Sequence, residues 1–111
     1  MSNKEIQEVL SNEGIDLDHI CKGISYFYNY AIDKSENIAY GFGKCIPYEQ
    51  TFMFKIEEDI IYLYPDNEIR RKIIAGYVIG ILKTILPDYL TVSVEDEELP
   101  VCLQIIFNEN S

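Results

Sequence analysis

The clearest pattern of apolar and polar positions is QTFMFKIEEDIIYLYP, residues 50–65. Two runs rich in aromatic and β-branched residues, Thr51–Ile56 and Ile60–Tyr64, flank the polar turn Glu57-Glu58-Asp59. That arrangement predicts a β-hairpin, closed by Pro65. Ile38–Ile46 reads as a further strand, weakened by Gly41 and Gly43 and ended by Pro47. Thr91–Val94 and Val101–Phe107 form a second hairpin pattern, joined by the stretch Glu95-Asp96-Glu97-Glu98.

Elsewhere the period is helical. Ser2-Asn3-Lys4-Glu5 has the form of a capping box, and Ile6, Val9 and Leu10 follow at helical spacing, so a short helix ends near Gly14. Asp16 or Asp18 caps a second helix, with Leu17, Ile20, Cys21, Ile24, Phe27, Tyr28 and Ala31 on one stripe. The segment ISYFYNYAI also alternates as a strand, with Ile24, Tyr26, Tyr28, Tyr30 and Ile32 on one face. The longer helical match favours helix there, and the strand remains the alternative. Asp33–Asn37 is a loop.

Asp66 or Asn67 caps a third helix with Glu68 in its first turn. Ile69, Ile73, Tyr77, Gly80 and Ile81 mark one side of it, and Ile74, Val78, Leu82 and Ile85 the adjoining side. So wide an apolar stripe belongs to a helix packed into the centre, stopped by Pro87. Its uncharged run Ile73–Leu82 reaches only about 15 Å as a helix, half of a bilayer core. The expected fold is one α+β domain over residues 1–111, in the order α-α-β-β-β-α-β-β, with about five antiparallel strands packed with helices.

Charge narrows the function. Nineteen acidic residues against nine Lys and Arg give a formal charge of −10. Phosphate binding needs a basic face, so direct nucleic-acid binding is not expected, nor is an anionic membrane surface. The chain reads as soluble and cytoplasmic, and a charge-steered partner would be basic. Cys21, Cys45 and Cys102 are odd in number and form no C-x-x-C pair, which fits three buried free thiols in a reducing compartment.

Catalytic and cofactor patterns are weak. His19 is the only histidine, and on a helix it and Cys21 point to different faces. YGFGK, residues 40–44, contains Gly-x-Gly but neither the third glycine of a dinucleotide fingerprint nor a Gly-Lys-Ser/Thr phosphate loop. Its glycines fit a bulge or a bare backbone covered by aromatic neighbours. Gly76 and Gly80, spaced G-x-x-x-G, suit close packing on a sheet and also leave a homodimer open. Glu95-Asp96-Glu97-Glu98 lacks the alternation and turn glycine of a calcium loop. No enzyme activity, cofactor or metal is expected. The candidate partner-binding residues are Glu57, Glu58 and Asp59 at one hairpin tip and Glu95, Asp96, Glu97 and Glu98 at the other, with nine tyrosines supplying contact area.

Eighteen isoleucines with many Asn, Lys and Tyr, small size and strong acidity give the chain a resemblance to immunity proteins of bacterial toxin systems, such as those of contact-dependent inhibition. The resemblance rests on overall character and on no motif. It implies an inhibitor that binds one cognate toxin domain, often a basic nuclease, and blocks its active site. The chain also resembles small acidic type III secretion chaperones, apart from an extra N-terminal helix and the lack of a final one. A phage-encoded inhibitor of a defence protein would follow the same charge logic.

Overall fold

The computed structural model describes residues 4–109, so the capping box at Ser2 lies outside the described residues. Helix α1 spans Lys4–Asn12 and α2 spans Leu17–Ile24. Four strands follow, β1 (Tyr30–Asp33), β2 (Ile38–Cys45), β3 (Gln50–Glu57) and β4 (Ile60–Pro65). A short 3₁₀ turn at Glu68–Arg70 leads into α3 (Arg71–Ile85), and β5 (Leu90–Asp96) and β6 (Val101–Phe107) complete the chain. The fold is α+β as expected, with one further strand at the front of the meander. All six strands form one antiparallel sheet in the order β1-β2-β3-β4-β6-β5.

The extra strand comes from the segment that carried two competing patterns. Asp16 caps α2, its side chain accepting from the His19 amide at 2.9 Å. Ile20, Cys21 and Ile24 are buried as the helical stripe requires. The helix then stops, because the chain after Ser25 bonds to β2 instead. The Tyr26 N–H donates to the Phe42 carbonyl and the Phe42 N–H donates to the Asn29 carbonyl, both at 2.9 Å. Phe27 and Tyr28 turn the chain with φ of 52° and 56°, and Tyr30–Asp33 continues as β1. The helical reading of residues 25–31 is therefore corrected. Phe27 and Tyr28, placed on the buried stripe by periodicity, are exposed.

Alternation divides the sheet into two faces. The register sets Ala39, Ile56, Ile61 and Leu103 side by side, and Gly41, Phe54, Leu63 and Val101 in the adjacent row. All of these are buried beneath Ile6, Leu10, Ile20, Ile24, Ile74, Val78 and Leu82 of the three helices. The glycines of YGFGK explain how two phenylalanines fit in this layer. A Cβ on Gly43 would lie 2.2 Å from Cζ of Phe52, and one on Gly41 would lie 2.5 Å from Cζ of Phe54. The register runs unbroken through both positions, so the glycines are bare backbone covered by aromatic rings rather than a bulge. Gly76 and Gly80 are different, since a Cβ there would meet nothing within 4 Å. They are exposed on α3 and do not serve close packing on the sheet.

Candidate interaction surface

Among the described residues, all three helices lie on the side of the sheet just described, and none covers the other side. Its rows follow from the same register. Tyr40, Lys55, Tyr62 and Cys102 stand side by side across β2, β3, β4 and β6, and Phe42, Met53 and Tyr64 form the next row. Phe42 retains 48% of its accessible surface, Tyr40 50%, Met53 47% and Tyr64 42%. Isolated exposed apolar side chains are ordinary, but contiguous ones mark a contact surface.

Cations sit within this aromatic field. Lys55 Nζ lies 5.6 Å from the centre of the Tyr62 ring and 3.4 Å from Glu57. Lys44 Nζ lies 5.2 Å from the Tyr26 ring and 4.0 Å from Glu49. At these distances each ammonium is weakly attracted to its ring. Tyr26 packs on Phe27 at a ring separation of 4.2 Å, extending the field past the end of β1. At the far end a third row runs Asp33, Ile38, Glu57, Ile60, Gln104 and Ser93. Glu95 follows Ser93 on this face, and its Oε2 accepts from Ser93 Oγ at 2.6 Å. The face thus has an apolar centre with carboxylates at its margin, the distribution common to protein interfaces.

The two acidic tips expected to bind a partner do not come together. In an antiparallel sheet of this order, the β3–β4 turn lies at one end of the strands and the β5–β6 loop at the other. Glu95, Asp96, Glu97 and Glu98 are all exposed, the first two closing β5 and the last two in the loop that follows. Asp96 Oδ1 accepts from the Glu98 N–H at 2.8 Å. Glu58 is exposed at φ 58° and Glu57 is half-buried beside Lys55. Asp59 is a correction to the sequence reading, for it is fully buried rather than displayed. Its Oδ2 accepts from Gln104 Nε2 at 3.1 Å, and its carbonyl accepts from the Ile105 N–H at 2.9 Å. These bonds tie the turn to β6, a structural use of an acid that sequence spacing alone presents as surface charge.

The ionisable side chains are tuned mostly by local packing. Asp18 is held below the usual carboxylate range by the Tyr30 hydroxyl, which donates to it at 2.5 Å, and by Lys22 at 3.0 Å. The same bond, with burial, pushes Tyr30 up to about 12. Burial pushes Cys21 up to about 12 and raises Cys45 and Cys102 as well. All three thiols are free, but Cys102 is only half-buried, on the open face, contrary to the expectation of three buried ones. His19 is exposed while Cys21 is buried, so they diverge as helical geometry requires. Among the described residues, no three His, Cys, Asp or Glu side chains converge as metal ligands, and no helix is long and apolar enough to cross a membrane.

Comparison with protein-family models, curated proteins and solved structures returns no match. The surface must be interpreted from its own chemistry. Sequence reasoning located its charges but missed its apolar centre, because Tyr40, Phe42, Tyr62 and Tyr64 are strand formers that suit either face, and Met53 is apolar enough for either. Their common position was available in the alternation with Ala39, Phe52, Phe54, Ile61 and Leu63.

Proposed function

We propose that this protein is an acidic inhibitor that binds a cognate protein, and that the partner is a basic bacterial toxin domain, in the manner of an immunity protein. The observation that carries the reading is the uncovered aromatic side of the sheet, centred on Tyr40, Phe42, Met53, Tyr62 and Tyr64. Aromatic side chains on rigid strands supply contact area with little ordering cost, and tyrosine adds a polar tip for hydrogen bonding. A formal charge of −10 favours encounter with a basic partner, and the marginal carboxylates Asp33, Glu57 and Glu95 orient it. If the basic surface is one that holds phosphates in a nuclease, an acidic protein seated there excludes the substrate. Glu95, Asp96, Glu97 and Glu98 act in this scheme through rate, as steering charge at one end of the face.

The test is affinity capture from the native host with two baits, the unaltered protein and a Tyr40→Thr/Phe42→Thr/Tyr64→Thr variant. Threonine preserves strand propensity while removing the rings. The proposal expects a basic protein retained by the first bait and lost from the second. Equal retention by both would exclude the open face as the contact.

A further inference from the structure

On the helical side, α3 does not fully cover the edge of the sheet. A solvent-open cleft of about 230 Å³ lies between α3 and the end of β5, lined by Arg71, Lys72, Ala75, Gly76, Ile79, Val94, Glu97 and Val101. We propose that this cleft binds the free C-terminal end of an extended peptide, which adds to β5 as a seventh strand. Four observations support the assignment. First, β5 ends the sheet, so among the described residues its outer N–H and C=O groups have no strand beside them. Edge strands of this kind accept extended peptides through main-chain hydrogen bonds. Second, the walls are apolar, and Val94 stays 40% exposed although it continues the core-side alternation of Leu90 and Val92. The volume falls below the ~300–1,000 Å³ of a typical small-molecule pocket and suits an apolar side chain with a terminal group.

Third, one end of the cleft carries two cations that make no ion pair among the described residues. Among the described residues, none of the ion pairs within 4.0 Å involves Arg71, Lys72 or Glu97, although acids outnumber bases by ten. The Arg71 Nη1 group donates to the Glu68 carbonyl at 3.1 Å, a neutral acceptor that leaves the guanidinium charge uncompensated. An unmatched guanidinium beside a lysine selects a carboxylate. Fourth, Gly76 leaves the helix backbone bare, with nothing within 4 Å of where a Cβ would stand, which clears a path for a chain alongside.

Direction follows from these positions. The cations lie at the C-terminal end of β5, so a peptide whose carboxylate meets them runs parallel to β5. The bulge between Val94 and Asp96 interrupts regular pairing there and fits a strand that terminates at that point. Glu97 lies on the cleft wall and disfavours an anion, so the carboxylate sits on the Arg71 side.

The probe is acetyl-Val-Thr-Val-Thr-Val with a free carboxylate, titrated into the ¹⁵N-labelled protein while amide chemical shifts are followed. Saturable shifts are expected at Val92, Val94, Gly76 and Ile79, with no change at Phe42 or Met53 on the opposite face. The same peptide as its C-terminal amide should bind at least tenfold more weakly. Arg71→Met/Lys72→Met should lose the same factor, Glu97→Gln should tighten binding, and Gly76→Leu should abolish it by filling the track. Gly76→Leu adds a side chain at an exposed helical site with open space, so it tests the cleft even if the double variant folds poorly. Absence of saturable shifts, or equal binding by acid and amide, would overturn the proposal.

Discussion

Replacing Gly43 by alanine adds one methyl group in the place where the Phe52 ring rests on bare β2 backbone. The new Cβ would stand 2.2, 2.6 and 2.8 Å from three atoms of that ring, so ring or strand must shift. Overpacking in a filled layer costs about 1–3 kcal/mol. Removing a glycine from a strand returns roughly 0.5–1 kcal/mol, through the smaller entropy of the unfolded chain. The expected outcome is a net loss of up to about 2.5 kcal/mol. The same chemical change at Gly76, exposed on α3 with open space above it, should stabilise by about 1 kcal/mol. Urea unfolding followed by circular dichroism reads both, and Gly76→Ala should be the more stable of the two by about 1–3.5 kcal/mol. Combining Gly43→Ala with Phe52→Leu should cost less than the sum of the separate changes, because leucine withdraws the clashing ring edge. Equal stability of Gly43→Ala and Gly76→Ala would refute the packing assigned to β2 and β3.

Four further outcomes follow from named residues. Asp59→Ala should lower stability by about 1–3 kcal/mol through loss of its buried bond to Gln104, while Glu58→Ala in the same turn stays within about 0.5 kcal/mol, as read by thermal unfolding. Asp18 has a lowered pKa, so its contribution to stability is present above the ordinary carboxylate value of 3.8 and is lost as pH falls through the lowered one. Tyr30→Phe should therefore move the Asp18 carboxyl upward in an NMR titration and reduce acid sensitivity below pH 3.8. Cys21, raised from 9.0 to about 12, supports the fold below pH 9 and loses that support as pH rises toward 12, so Cys21→Ala should flatten the alkaline unfolding curve over that window. Changing Glu95, Asp96, Glu97 and Glu98 to Gln or Asn should slow partner association at low salt, with little effect at high salt.

The residues explain which features could be read before folding was known. The Thr51–Ile56 and Ile60–Tyr64 hairpin and the central helix were legible from their periodic runs and turn signals, although Asn67 caps the 3₁₀ turn at Glu68–Arg70 and α3 itself starts at Arg71 without a side-chain cap. Residues 25–31 were not, because 3.6-fold and 2-fold patterns both match them. The contest is decided by pairing with Phe42, a contact remote in sequence. Asp59 was misread for a related reason. Its position in a polar turn suggests exposure, and only the approach of β6, more than forty residues later, buries it. Sequence order also hides the separation of the two acidic tips, which follows from the insertion of β6 between β4 and β5.

The open aromatic face is the centre of the functional account, and site-specific photocrosslinking tests it most directly. A benzoylphenylalanine at position 42, on that face, and another at position 69, which is 83% exposed just before α3, would be activated in the native host. The account predicts a covalent adduct with a basic protein from position 42 and none from position 69. An adduct from position 69 alone would contradict it.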